Sequence, residues 1–232
     1  ENSAAAITST SGSVAVLTAF YPGPLGSSII AEALFGDYSP SGRLPYTMFG
    51  GDYINEADFL SMDLPGQGMT YKYYHGTNML WPFAHGLSYA SFNFTLSLPT
   101  TSTTFSISDA DFVLELAPQI GRIDKIDKID KAQITLTVCL IPISVEGIDA
   151  DSSVVSKQLL NFARSSDLGV GEQTSVSLNV VANDFALADS SGDISVWPGI
   201  YQLEVWDGAS EPTLIDVTIS GSGSRLVIPF PN

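Results

Sequence analysis

From residue 91 onward, apolar and polar positions alternate with a period of two, the spacing of strands with one dry and one wet face. Phe92, Phe94, Leu96 and Leu98 alternate with Asn93, Thr95 and Ser97. The pattern returns at Phe112, Leu114 and Leu116, and at Ile134, Leu136, Val138 and Leu140. It returns again at Val176, Leu178 and Val180, at Tyr201, Leu203 and Val205, and at Ile215, Val217 and Ile219. Clusters of Gly, Pro, Asp and Ser separate these runs. Roughly seven short amphipathic strands predict a two-sheet β-sandwich of immunoglobulin or fibronectin type III kind. The apolar positions just named form its inward set. Cys139 has the opposite phase, which places it outward or under a loop.

The first third of the chain follows other rules. Residues 1–13 are small and rich in Ser and Thr, the composition of a flexible or trimmed end. Residues 14–20 are almost unbroken apolar, the pattern of a strand buried on both faces. A turn at Tyr21-Pro22-Gly23 follows, and Ser27 and Ser28 offer N-cap hydroxyls for a helix. Ile29, Ile30, Ala33 and Leu34 share one face of that helix, and Gly36 is placed to stop it. Pro40, Gly42 and Pro45 then turn the chain into a short extended segment at residues 44–49. Residues 50–70 form an irregular connection of the kind that wraps over another surface.

One strand, one helix and a return cannot cover both faces of a sheet or pair its edges. Residues 14–49 therefore need cover from another polypeptide or from copies of the same chain. The fold expected is mostly β: a sandwich over residues 89–232, preceded by a partial α/β sandwich unit over residues 1–88. Residues 122–131 repeat Ile-Asp-Lys three times. The acid-before-base pairs Asp124/Lys128 and Asp127/Lys131 favour a short helical turn in a tolerated loop insertion.

Composition narrows the function classes. At 232 residues with 44% hydrophobic and 15% charged positions, the chain has core enough for one large or two modest domains. A net charge of −16 argues against nucleic acid and anionic membrane surfaces as partners, and suits solubility in an acidic or extracellular setting. No apolar run reaches the ~20 residues of a membrane helix, so no membrane insertion is expected. Without an initiating Met or a signal-like segment, the chain has the look of a processed product. Its one cysteine makes no internal disulfide.

Candidate chemistry is sparse. His85 has no Ser, Cys or second His at triad-like spacing, so a hydrogen-bonded structural role is expected. His75 lies in a loop, and two lone histidines make a poor metal site. Asp109 with Asp111, and Glu146 with Asp149 and Asp151, lack the full pattern of a calcium loop; no metal or cofactor is expected. Trp81, Trp197 and Trp206 with Tyr71, Tyr73 and Tyr74 offer a sugar-stacking platform or, preferably, core and interface filling. Asn93-Phe94-Thr95 is an N-glycosylation sequon whose Asn falls on the polar face of its strand. Thr100, Thr101, Ser102, Thr103 and Thr104 are O-glycosylation candidates, or simply a hydrophilic loop.

Two stretches carry a family likeness. The first runs from Tyr21, Pro22 and Gly23 through Leu34-Phe35-Gly36-Asp37 to Pro40-Ser41-Gly42-Arg43-Leu44-Pro45. The second joins Thr70-Tyr71-Lys72-Tyr73 to Pro82-Phe83-Ala84-His85-Gly86-Leu87-Ser88-Tyr89. Together they resemble signature stretches near the C-terminus of the family-three glycoside hydrolases, with spacing through residues 62–66 more like the β-xylosidase branch. Residues 157–207 are similar to that family's fibronectin type III-like domain. Met69 and Lys72 stand where the family usually has Arg, and Ala84 replaces a Gly. The resemblance implies that residues 14–88 are the end of an α/β sandwich domain and that the protein is secreted.

In the family, the nucleophilic Asp and acid/base Glu lie on upstream parts of the polypeptide, and no matching motif exists here. No residue is therefore assigned a catalytic role. The expected function is a non-catalytic, structural or assembly role in an extracellular particle, in the manner of a self-assembling or filament subunit. The alternatives are a fragment of an active secreted β-xylosidase or β-glucosidase whose carboxylates sit on a separate polypeptide, and a carbohydrate-binding module.

Overall fold

A computed structural model describes residues 15–98, 102–124, 128–148 and 155–231. Thr100, Thr101, Asp127, Asp149 and Asp151, and residues 1–14, lie outside that set.

The alternating region builds the expected sandwich. Strands β5 (Val113–Arg122), β6 (Thr135–Val145), β12 (Gly199–Trp206) and β13 (Thr213–Ser220) are its long members. One sheet runs in the order β4-β13-β12-β6-β7, with β4 (Thr104–Ser106) parallel to β13 and β7 (Gln158–Arg164) on the far edge. The facing sheet is β3 (Phe92–Ser97), β5 and β8 (Gln173–Ser175), with β9 (Leu178–Val181) also paired to β5. A small third sheet joins β10 (Ala186–Ala188), β11 (Ile194–Val196) and β14 (Arg225–Ile228).

Most of the inward phase read from the sequence is the core; Phe92, Phe94, Leu96, Phe112 and Val176 are only partly buried against it, and Leu98 is 36% exposed. Leu114, Leu116, Leu136, Val138, Leu140, Leu178, Val180, Tyr201, Leu203, Val205 and Val217 are all fully buried and mutually packed. Tyr201 satisfies its hydroxyl by donating to the Trp197 carbonyl at 2.8 Å, as a phenol in a dry core must.

The leading segment is less complete. Residues 15–20 form no strand, which corrects the expectation of a doubly buried one; Val16, Leu17 and Phe20 are exposed. A strand needs a neighbour for its backbone groups, and none of the described residues supplies one. Helix α1 spans Gly26–Phe35 and begins at Leu25 with no side-chain cap, so neither Ser27 nor Ser28 caps it; Ser28 Oγ donates to the Leu25 carbonyl instead. Gly36 does end it, in the left-handed conformation at φ 75°.

Within α1 only Gly26 and Ala33 are buried, with Ile30 and Ala31 half-buried beside them. Ile29 and Leu34, which share the apolar face read from the sequence, are 54% and 65% exposed, and Leu25 and Phe35 are 77% and 72% exposed. No described strand packs extensively along this helix. The extended segment expected at 44–49 shortens to β1 (Met48–Phe49), paired with β2 (Met79–Trp81). The connection between them wraps an aromatic knot, Phe49, Tyr53 and Tyr74, but turns Ile54, Phe59, Leu60 and Met62 outward.

The Ile-Asp-Lys repeat is not a mere insertion, and its described residues are not helical. Ile129 is buried against Ala90, Ala132 and Phe92. Arg122, fully buried, donates to the carbonyls of Ile129 at 2.9 Å, Asp130 at 3.1 Å and Leu168 at 3.2 Å. Its Nε lies 3.3 Å from the Asp124 carboxylate, so Asp124 pairs with Arg122 in place of the i,i+4 lysine. Lys128 reaches the Phe35 carbonyl at the C-terminal end of α1, where a cation is favoured. The loop thereby joins the helix to the sandwich.

Replacing Arg122 by Met removes those donors and leaves buried carbonyls unpaired, at roughly 1–3 kcal/mol for each group left without a partner. The R122M chain is expected to lose about 3 kcal/mol or more of stability, read as a lower urea midpoint with an unchanged denaturant slope.

Candidate functional site

Strand alternation leaves Cys139 of β6, Leu159 of β7, and Glu204 and Trp206 of β12 on the outer face of the five-stranded sheet. That face would ordinarily be wet, yet residues 135–140 of β6 are buried throughout. The reason is a second layer. Phe83 and Ala84 pack onto Cys139, with Tyr71, Leu159 and Trp206 around them, and the Tyr71 and Phe83 rings stack at 3.9 Å. Cys139 thus lies under a loop. Burial pushes its thiol up to about 12, with Lys157 opposing and Glu204 reinforcing the shift.

The signature residues draw this layer together. Tyr71 belongs to the short helix α2 (Thr70–Tyr73), and Lys72 at its centre accepts backbone hydrogen bonds from Ser156 and Lys157. Leu44 N donates to the His85 carbonyl at 2.9 Å, Ala84 N to the Leu44 carbonyl at 2.9 Å, and Gly86 N to the Gly208 carbonyl at 3.1 Å. Arg43 threads the gap between the two glycines: a Cβ on Gly208 would stand 2.6 Å from Arg43 Cδ, and one on Gly86 2.9 Å from it. Pro40, Gly42 and Pro45 lie in the irregular segment that carries Arg43. Ala84 holds φ 68°, a left-handed conformation better suited to Gly, which explains the residue the resemblance leads one to expect there.

His85 lies between two tryptophans, its ring 6.5 Å from Trp81 and 6.4 Å from Trp206, and is hydrogen-bonded to the Gly208 backbone. Burial lowers its pKa from 6.5; the Gly208 bond opposes this and Arg43 adds to it. Burial likewise lowers the pKa of Arg43, while the Asp207 carboxylate supports its charge.

Two carboxylates are buried among the described residues, Glu204 and Asp207. Glu204 accepts from Lys157 Nζ through both oxygens, at 2.7 and 2.9 Å. Asp207 Oδ1 accepts from Ala209 N, Ser210 N and Ser210 Oγ, closing the turn that carries Gly208. Each is committed to architecture. A retaining glycosidase instead holds two carboxyls ~5–5.5 Å apart across a scissile bond. The adjoining cavity, lined by Thr47, Tyr71, Tyr74, Met79, Phe83 and Lys157, measures about 90 Å³. Ligand clefts run to ~300 Å³ and more.

The remaining candidates are dispersed. Tyr71, Trp81 and Trp206 gather in the layer around Phe83 and His85, whereas Trp197 packs over Gly147 and Tyr74 sits in the Tyr53 knot, so the six aromatics do not form one platform. Tyr21, Pro22 and Gly23 form an exposed turn before α1, and Tyr89 donates to the Ala33 carbonyl at 3.0 Å, bracing the helix. His75 is exposed. Asp109 accepts from Ser106 N in a turn. Among the described residues no three His, Cys, Asp or Glu side chains converge on a metal-sized point. Asn93 is exposed; Ser102 donates to the Thr104 carbonyl, and Thr104 begins β4. The Lys157–Glu204 pair had no local sequence signal, whereas Asp207-Gly208 followed by Ser210 has turn chemistry.

Residues 3–89 match the family model described as the glycosyl hydrolase family 3 C-terminal domain. The chain is 30% identical over 225 residues to the probable exo-1,4-beta-xylosidase xlnD of Neosartorya fischeri. It is 28% identical over 236 residues to the probable exo-1,4-beta-xylosidase bxlB of Aspergillus oryzae. These alignments cover 91% and 94% of this chain but 28% of each relative, so the chain spans little more than a quarter of their length. Among solved structures, a GH3 exo-beta-xylosidase (XlnD) in complex with a xylobiose aziridine activity-based probe superposes with a TM-score of 0.74. That match covers 91% of this chain and 28% of the other at 20% identity, a likeness of fold.

Two measurements probe the layer. Cys139, shielded and with its pKa raised, is expected to resist thiol reagents in the folded chain and to react fully once unfolded. Native labelling at the rate of a free thiol would show the loop not to cover it. For His85, the unfolded side chain takes up its proton near 6.5 and the folded one only at lower pH. As pH falls through that interval the unfolded chain binds more protons, so stability drops. Urea midpoints measured from about pH 7 down to pH 5 are expected to decline less steeply in H85Q.

Proposed function

Starting from a chain whose residues 3–89 match the glycosyl hydrolase family 3 C-terminal domain, we propose that it is the non-catalytic C-terminal part of a β-xylosidase-type glycoside hydrolase acting outside the cell. Its fibronectin-like sandwich is a rigid base. Its leading segment offers the face on which the catalytic part of such an enzyme seats, and the catalytic carboxylates belong to that part.

The uncovered helix α1 carries this reading. A helix with large apolar residues around most of its circumference is built for a buried position. Leu25, Ile29, Leu34 and Phe35 stand more than half exposed with Glu32 as the helix's one charge. Fully burying a side chain of this size contributes ~1.5–3 kcal/mol, so covering four partly exposed ones contributes on the order of several kcal/mol to docking. The outward Ile54, Phe59, Leu60 and Met62 extend the apolar character of the same part of the chain. A second reading, copies of the chain covering one another, draws on the same face; the net charge of −16 weighs against it through like-charge repulsion.

The test is the native mass of the particle purified from its source, with every polypeptide identified and hydrolysis of an aryl β-xyloside measured. The expected particle contains this sequence joined to, or bound by, a larger family-three polypeptide, and it is active. The isolated chain is expected to be inactive, and I29D/F35D to release it from a separate companion or destabilise a joined one. An assembly of this chain alone would favour the second reading. A lone monomer, or hydrolysis by the isolated chain, would overturn both.

A further inference from the structure

We infer that Asn93 is an N-glycosylated residue and that its glycan stands guard beside the free edge of β3. This inference is independent of the docking proposed for α1. The sequon Asn93-Phe94-Thr95 lies wholly within β3, so its Asn and Thr share the outward face while Phe94 points into the core side. Both outward residues are exposed. Opposite Asn93 in the ladder stands Gly121 of β5. A Cβ at that glycine would come within 2.8 Å of Asn93 Oδ1. The Asn93 side chain therefore lies over Gly121, where no directly opposed side chain crowds it.

The position has a consequence for solubility. Among the described strands β3 pairs with β5 alone, so β3 is an edge strand with no described strand on its other side. Free edges invite strand addition from other chains, and natural sheets protect them with charge, bulges or cover. Asn93, Thr95 and Ser97 carry no charge. A bulky hydrated glycan on the second residue of the strand supplies the missing protection.

The transfer balances as a simple substitution at the anomeric carbon. A lipid-linked diphosphate oligosaccharide supplies the sugar: the bond from Asn93 Nδ2 to C1 forms, and the bond from C1 to the diphosphate oxygen breaks. The polyprenyl diphosphate leaves and the amide proton passes to solvent. No redox partner is required. Thr95 supplies the hydroxyl that sequon recognition demands.

Protein purified from its source is digested and the peptide containing Asn93 examined by mass spectrometry, before and after peptide-N-glycosidase treatment in heavy-oxygen water. Attached hexosamine, with conversion of Asn93 to labelled Asp on enzyme treatment, is the expected result. On re-expression in the same secretory background, N93Q and T95A are expected to abolish the modification and T95S to retain it. Recovery of the peptide mainly with unmodified Asn93 would overturn the assignment. For the guarding role, N93Q is compared with the glycosylated chain by sedimentation at matched concentration. Increased self-association of N93Q is expected, and identical behaviour of the two would overturn that part.

Discussion

An apolar helix whose larger side chains no layer among the described residues covers is the constraint around which this structure is organised. Dry surface is unevenly distributed along the chain: the sandwich closes its core completely, whereas α1 buries only Gly26 and Ala33. Small residues at those positions let the helix come close to the chain beneath it, but they contribute little burial. The larger side chains point away. A helix of ten residues is marginal in water on propensity alone, so its place depends on what holds its ends. Those holds are specific. Tyr89 bonds the Ala33 carbonyl, Lys128 reaches the Phe35 carbonyl, and Gly36 closes the C-terminal turn.

The leading segment is bound to the sandwich in two ways that differ in kind. One is apolar: Tyr71, Phe83 and Ala84 cover Cys139 and dry the second face of β6. The other is polar: Arg122 gathers carbonyls from three residues and pins the loop that carries Ile129 and Lys128. Apolar contact is tolerant of small shifts, whereas a buried guanidinium demands its acceptors. The pairing sets a definite orientation of α1 relative to the sheets, and it leaves the outer surface of the helix free. That geometry is what makes a docking role for the segment physically reasonable.

Much of the sandwich was legible beforehand because strand alternation is a local property. Once one face is dry, every second residue is assigned, and the buried set on β5, β6, β9, β12 and β13 followed the apolar phase. Local reasoning failed where the outcome depended on a distant partner. The apolar run ahead of the Tyr21 turn reads as a strand, but a strand exists only where a neighbour accepts its hydrogen bonds. Ser27 and Ser28 are good caps by type, yet Gly26 against Pro22 starts the helix earlier. The repeat at residues 122–131 looked like a charged insertion, because nothing nearby in sequence announced that Arg122 and Ile129 would both be buried.

The candidate site divides along the same line. The likeness of residues 21–45 and 70–89 to family-three signatures rests on residue identity and order, and the sequence alone determined it. So did the alternating core and the sequon at Asn93. Only the tertiary structure decided that Arg43, His85 and Gly208 interlock, that Cys139 is sealed beneath Phe83, and that Glu204 spends its charge on Lys157. The physical reason is reach. Period, turn chemistry and motif are written within a few residues of one another, whereas burial and charge pairing are set by groups that the chain brings together from far apart.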